Sequence, residues 1–255
     1  MPELHRNYFR EIKDAFGLIP TWLPDPSVQI GDIGILQSGE FKRLRPLSVE
    51  GVECTTNTHE DSAAIEHRSK GTRGISISAH GNTGATVSPL ADLKSKLKIE
   101  FCKEGAVFLL ASGCSTVEVD DKQVLFNHVK QKLEFDDWPR NQVIVTKIKR
   151  CKLLVLLISA SSEGQAELEM SLDMKLSNGE IADVKAMPQL LSSSALQTKI
   201  VTNSETTLMF EVIGAKWSFL SGRRPAFRSR SKSMASADPS VTEVTTFDVD
   251  DFFAE

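Results

Sequence analysis

LKSKLKIEFCKEGAVFLLAS, residues 93–112, carries two kinds of strand in one run. Leu97, Ile99 and Phe101 alternate with Lys96, Lys98 and Glu100, the period of two that a strand with one wet face requires. Gly105 interrupts, and six of the next seven residues are apolar, so this half has no polar face. Read as one long strand, it begins half wet and ends dry, and the architecture turns on what such an element faces.

Strand signals surround it. ECTTNTHEDSAAIEHRS (53–69) and GISISAHGNTGATV (74–87), the latter with a Gly81-Asn82-Thr83-Gly84 turn, lead into the run. VDDKQVLFNHVKQKLEF (119–135) predicts an internal helix, with Asp120 or Asp121 near its start and Val124, Leu125, Val129 and Leu133 on one side. NQVIVTKIKRCKLLVLLIS (141–159) follows as a strand. QAELEMSLDMKL (165–176) has the cleanest alternation in the chain. Leu168, Met170, Leu172, Met174 and Leu176 lie on one face, and Glu167, Glu169, Ser171, Asp173 and Lys175 on the other. SNGE (177–180) supplies turn chemistry, and the chain returns through IADVKAM (181–187), ALQTKIVTN (195–203) and TTLMFEVIGAKWSFL (206–220). There is no sequence repeat, yet two hairpin-like regions flank one helix.

Toward the N-terminus, ELHRNYFREIKDAFGLIP (3–20) predicts a short amphipathic helix. Leu4, Tyr8, Ile12 and Ala15 share one face and Arg6, Arg10 and Lys13 another, with Gly17 and Pro20 stopping it. TWLPDP (21–26) reads as a rigid connector. GDIGILQSGEFKRLRPL (31–47) reads as a hairpin with Gly39 in the turn and Lys42, Arg43 and Arg45 on the return strand. At the other end, residues 222–255 change composition: Arg223, Arg224, Arg228, Arg230 and Lys232 come first, then six acidic residues with no basic one among 237–255. Such a charge-segregated, Ser-rich stretch buries too little surface to offset its ordering entropy, so it is expected to form a flexible tail. The division expected is therefore 1–221 and 222–255.

Composition excludes several classes. The chain has 255 residues, 40% of them hydrophobic, which suffices for a sizeable core. Thirty Lys and Arg against 34 Asp and Glu give a formal net charge of −4, with no global attraction to nucleic acid. Cys54, Cys102, Cys114 and Cys151 form no C-x-x-C pair, and neither a signal peptide nor an N-x-S/T acceptor is present, so a reducing cytoplasmic setting is expected. The longest apolar stretch, Leu153–Ile158, falls far short of the roughly 20 residues of a membrane-spanning helix. Nor do the termini carry a myristoylation site or a prenylation box.

Enzyme motifs fail in turn. HEDSAAIEH (59–67) gathers His59, Glu60, Glu66 and His67, but lacks the i,i+4 histidines of H-E-x-x-H. HGNTG (80–84) lacks the P-loop lysine and the dinucleotide spacing, and no G-x-S-x-G elbow exists. Cys102 and His128 are the candidates for a nucleophile and base, with nothing in the sequence bringing them together. No catalytic residue, metal or cofactor is expected.

The order of elements, a basic amphipathic helix, a hairpin with a basic return strand, a β-rich region, a helix and a second long amphipathic hairpin, resembles the pore-forming domain of the gasdermin family. GDIGILQSGEFKRL, KLKIEFCKEGAVFL and NQVIVTKIKRCKLLVLLIS are similar to strands of its short microbial members, and most of all to the fungal regulator-of-cell-death branch, over about residues 3–220. The resemblance implies an α+β fold: a twisted antiparallel sheet with surrounding helices, able to refold into long transmembrane β-hairpins of an oligomeric barrel. The hairpins would be drawn from about 53–112 and 160–205. It implies a pore-forming cell-death effector, cytoplasmic when inactive and at the plasma membrane when assembled. An anionic phospholipid membrane, further copies or a related gasdermin-like chain, and an activating protease are its implied partners.

On the pore-forming reading that the resemblance implies, alternation and charge mark the candidate residues. A strand crosses a bilayer only in a closed barrel, with about 9–11 residues alternating between lipid and lumen. Leu97, Ile99, Phe101, Leu168, Met170, Leu172 and Met174 are assigned to lipid, and Lys96, Lys98, Glu100, Glu167, Glu169 and Asp173 to the lumen. Arg6, Arg10, Lys13, Lys42, Arg43 and Arg45 are assigned to anionic headgroups, each contributing about 1 kcal/mol near such a surface. Trp22, Leu36 and Phe41 are candidates for shallow anchoring. Departures bear on control. The chain ends too soon for the large repressor domain of animal members, and its first cysteine, Cys54, is far from the N-terminal acylation site of bacterial ones. A cleaved inhibitory tail or a partner subunit remain as triggers. The alternative function is a lipid-binding or scaffolding β-domain that never inserts.

Overall fold

A computed structural model of the chain describes residues 3–25, 27–37, 40–61, 63–80, 94–135, 137–139, 141–171, 175–177, 180–183, 188–216 and 243–246. Among these, two α-helices accompany eighteen strands, and every strand pair is antiparallel. The fold is mostly antiparallel sheet with few helices.

The first helix, α1 (Glu3–Phe16), forms where its periodicity places it, and ends as the Gly17 N–H bonds the Lys13 carbonyl. Tyr8, Phe9 and Ile12 are buried, whereas Ala15, expected on the same face, is exposed. TWLPD (21–25) is not a bare connector: it lies within β1 (Ile19–Asp25), where Thr21 Oγ1 donates to the carbonyls of Thr207 and Leu208. Pro20 and Pro24 escaped the strand reading because proline removes a ladder donor, and only an edge strand with broken pairing accommodates it. The predicted hairpin is β2 (Asp32–Gln37) and β3 (Glu40–Pro46). Gly34 is needed there for space, since a Cβ would lie 2.5 Å from the Phe41 ring.

Strands β4 (Thr56–Glu60), β5 (Ile65–Arg68) and β6 (Thr72–His80) come next, then β7 (Lys94–Phe101), β8 (Val107–Ser112) and β9 (Ser115–Val119). Helix α2 (Lys122–Glu134) follows, its N-cap Asp121 accepting from the Gln123 N–H. It is followed by β10 (Gln142–Cys151), β11 (Leu153–Ser159), β12 (Gln165–Ser171), the short hairpin β13 (Lys175–Ser177) and β14 (Glu180–Asp183), β15 (Gln189–Ser194), β16 (Leu196–Thr202) and β17 (Thr206–Lys216). Thus neither 93–112 nor 141–159 is one strand. Each breaks, and its halves enter different sheets.

Three large sheets result, beside the two-stranded sheet of β13 and β14. In the first, β4, β9, β10 and β17 are successive neighbours, with β2 beside β10, β3 beside β2 and β1 beside β17. The second has the order β16-β11-β8-β5 and the third β15-β12-β7-β6. Val107, Leu109 and Ala111 of β8 and Leu154, Leu156 and Ile158 of β11 point into a core shared with the first sheet and α1. Phe108 and Leu110, with Leu153, Val155 and Leu157, point the other way, into a core shared with the third sheet. A middle layer wet on neither side explains the apolar runs at 106–111 and 153–158. A third core packs Leu125 and Val129 of α2 with Trp138 against Ile33, Ile144 and Ile213 on the far face of the first sheet. Val124, expected on that helix face, is exposed.

One regularity links the layers. In the first sheet Lys147 stands opposite Glu118, in the second Leu154 opposite Ala111, and in the third Gln165 opposite Glu100. No residue is gained or lost between them. At the first bend Cys151 and Lys152 face Gly113 and Cys114; at the second, residues 159–164 face 101–106. Segments 94–118 and 147–171 therefore form a single two-stranded ribbon folded twice at constant register. Its flanks, β4-β5-β6 and β15-β16-β17, follow the same path with small register shifts.

One further strand, β18 (Glu243–Thr246), pairs with β17 at Ile213–Lys216, on the edge that β1 leaves open. The other residues of 217–255 lie outside the described set, as does the Gly39 turn.

Candidate functional site

The third sheet places the two alternating segments side by side. Leu97, Ile99 and Phe101 of β7 and Leu168 of β12 are buried against the middle layer. The Met170 side chain, and Leu172, Asp173 and Met174 altogether, lie outside the described residues. On the opposite face stand Lys96, Lys98, Glu100, Glu167 and Glu169. Register sets Lys98 opposite Glu167 and Lys96 opposite Glu169, so lysines of one strand meet glutamates of the other. Lys96 Nζ lies 3.1 Å from Glu167 Oε1, and Lys98 Nζ 2.5 Å from Glu100 Oε1. Donating that hydrogen bond to Glu100 raises the exposed Lys98 amine above its ordinary range.

The two basic clusters differ. On α1, Arg6 and Arg10 are exposed and Lys13 is half-buried, while Glu11 on the same helix meets His67 Nε2 of β5 at 2.9 Å. On β3, Lys42 is exposed and donates to Gln37 Oε1 at 3.0 Å. Arg43 Nε donates to Asp32 Oδ1 at 2.7 Å, and Asp32, only 1% exposed, also accepts the Gln29 N–H. Arg45 Nε donates to Glu50 Oε1 at 2.7 Å, with Lys132 Nζ of α2 at the other oxygen, 3.1 Å away. Those two hydrogen bonds hold the Glu50 carboxyl below its ordinary range. Arg43 and Arg45 are thus anchored through carboxylates while keeping exposed surface, a role that a basic run does not announce.

No family model matches this chain, and no curated protein does. Among solved structures, a bacterial gasdermin from Bradyrhizobium tropiciagri is similar to it. The identity is 13%, the TM-score 0.33, and the match covers 81% of this chain and 85% of that one.

Of the proposed anchors, Trp22, Leu36 and Phe41 are half-buried and lean on the first core. The Trp22 ring lies 3.9 Å from the His5 ring, tilted by 50°, and the Phe41 ring is 5.7 Å from Phe210. The apolar residue that does reach solvent between the arginines is Leu44, 50% exposed, which the sequence reading missed. Ile33 pairs with Arg45 and Gly34 with Arg43, so Leu44 is the extra residue of a bulge, turned outward. Alternation cannot reveal a bulge, because the inserted residue resets the period. Phe135, at the end of α2, and Val49 are exposed as well.

The residues considered for catalysis stay apart. His59 and Glu60 sit on β4, Glu66 and His67 on β5, and no group of three or more metal-ligating side chains converges among the described residues. Cys102 lies at the second bend, whereas His128 packs near Trp138 beyond the first sheet.

Proposed function

We propose that this chain is a pore-forming cell-death effector of gasdermin type, in which the folded ribbon opens on an anionic membrane and many copies close a barrel. The observation that carries this reading is the constant register of 94–118 against 147–171 through all three sheets. A ribbon folded without loss of register straightens without re-pairing its central strands, so opening needs only the bends and the layer contacts to give way. The third sheet already has the alternation that a membrane strand needs, apolar on one face and charged on the other.

Energetics favour opening at the membrane. Lifting the third sheet exposes Leu97, Ile99, Phe101 and Leu168, each at a cost of about 1.5–3 kcal/mol in water. Water therefore keeps the layers closed, and hydrocarbon offsets that cost. One copy contributes too few strands to close a wide barrel, so assembly with further copies, or with a related chain as in the fungal branch, is part of the reading. Arg6, Arg10, Lys13, Lys42, Arg43 and Arg45 gather anionic headgroups, while Leu44 joins Trp22, Leu36 and Phe41 at the interface. In this reading the protein waits in the cytoplasm and assembles at the plasma membrane, released by cleavage of the tail or by a partner subunit.

Dye release tests it, using vesicles of phosphatidylserine and phosphatidylcholine against phosphatidylcholine alone, with full-length protein and protein cut before residue 222. Release confined to the anionic vesicles, with ring-shaped particles by electron microscopy, is the expected outcome. Binding without release in every arm, including one with a related chain added, would replace this reading by the non-inserting lipid-binding domain.

A further inference from the structure

The first bend of the ribbon brings two of the four cysteines together. Arg150 stands opposite Ser115 and Leu153 opposite Ser112, and the two residues between on each strand face one another. Lys152 then falls opposite Gly113, and indeed a Cβ on Gly113 would lie 3.1 Å from Lys152 Cβ. Cys151 falls opposite Cys114. Both side chains are buried in the same core, so they project from the same face of the ribbon. The Cys114 carbonyl accepts the Asp61 N–H, so its backbone groups point away from Cys151. That makes the two cysteines cross-strand neighbours on the non-hydrogen-bonded side, the kind of pair whose Cα atoms in a regular ladder lie about 4.5 Å apart. Disulfides span Cα separations of about 4.4–6.8 Å.

We propose that Cys114 and Cys151 are a redox-modification site, oxidised by hydrogen peroxide to an intramolecular disulfide that staples the two central strands at the bend between the first and second sheets. One thiolate attacks the peroxide, its sulfur taking one oxygen as the O–O bond breaks, and the departing hydroxide takes the proton that the thiol had released and leaves as water. The second thiol attacks that sulfenic sulfur, the S–S bond forms as S–O breaks, and the departing hydroxide takes the thiol proton as a second water. Two thiols lose two electrons and two protons, and one peroxide becomes two waters.

Other cysteines do not compete. Cys54 packs against the third core and Cys102 lies at the second bend. Burial also sets the rate. It pushes the Cys114 thiol up to about 11 and the Cys151 thiol up to about 12, so in the closed molecule neither is a nucleophile and oxidation waits for the bend to open. The register is the same on both sides of the pair, so the staple fits both a bent and a straight ribbon. This inference rests on strand register and burial, not on the pore-forming reading.

The test uses the full-length chain with hydrogen peroxide, with and without sub-denaturing urea, followed by thiol blocking, intact mass and non-reducing peptide mapping. Expected are a loss of two hydrogens, a fall from four free thiols to two, and one cross-linked species joining Cys114 to Cys151. It forms several-fold faster in urea. Cys114→Ala or Cys151→Ala abolishes that species and Cys102→Ala retains it. Cross-links to Cys54 or Cys102 instead, or over-oxidation of single thiols without a disulfide even in urea, would overturn the proposal.

Discussion

At the scale of single residues, two buried polar groups make measurable claims. Asp32 is closed off from water and held by Arg43, so Arg43→Ala leaves a buried carboxylate with one lost charge-assisted hydrogen bond. A loss of about 1–3 kcal/mol in urea unfolding is expected, with the double variant Arg43→Ala, Asp32→Asn recovering part of it. His5 lies between Phe9 and Trp22 with its Nε2 buried and unpaired, and burial lowers it to about 4 from 6.5. A histidine whose folded value is depressed is neutral when docked, and the released form binds the extra proton. Docking is therefore at full strength above pH 6.5 and weakens as pH falls toward 4, by at most about 1.4 kcal/mol per unit. Trp22 fluorescence followed from neutral to acidic pH should show α1 loosening, and His5→Phe should flatten the curve; a wild-type signal that ignores pH would refute the link.

At the scale of elements, the bend at Gly113 is the sensitive point. Its φ of 61° is left-handed, so Gly113→Val strains the closed molecule by about 1–2 kcal/mol. The straight ribbon of the proposed function makes no such demand. Gly113→Val should thus lower the urea midpoint yet speed dye release; slower release at unchanged binding would argue against opening at this bend. Helix α1, helix α2 and the β2–β3 hairpin were legible in the sequence because caps, turns and periodicity are local. The breaks at 102–106 and at Lys152 were not. Periodicity reports which faces of a segment are dry, not which layer supplies the dryness, so GAVFLLAS and LLVLLIS read as continuations of their neighbours. Of the candidate site, the opposite charges of β7 and β12 were legible as alternation, but their pairing needed the register. The carboxylate partners of Arg43 and Arg45 sit five or more positions away and had no local signal.

At the scale of the molecule, stability should be graded by layer. Strands β8 and β11 are buried on both sides, whereas β6 and β15 edge an outer sheet with one wet face. Amide exchange is expected to be slowest in β8 and β11 and earliest, within the third sheet, at its two edges. Uniform protection across the three sheets would contradict a layered opening. The matched bends carry a consequence for how such a chain varies. Because 101–106 and 159–164 are equal in length, a deletion of one residue from 101–106 alone would shift β7 by one against β12, sending Leu97 and Ile99 to water and Lys98 into the core. A deletion on both sides at once would keep β7 and β12 in register with one another. Length changes at these two loops, eventually compared among homologous chains, should therefore come in pairs, as teeth are lost from two halves of a zip.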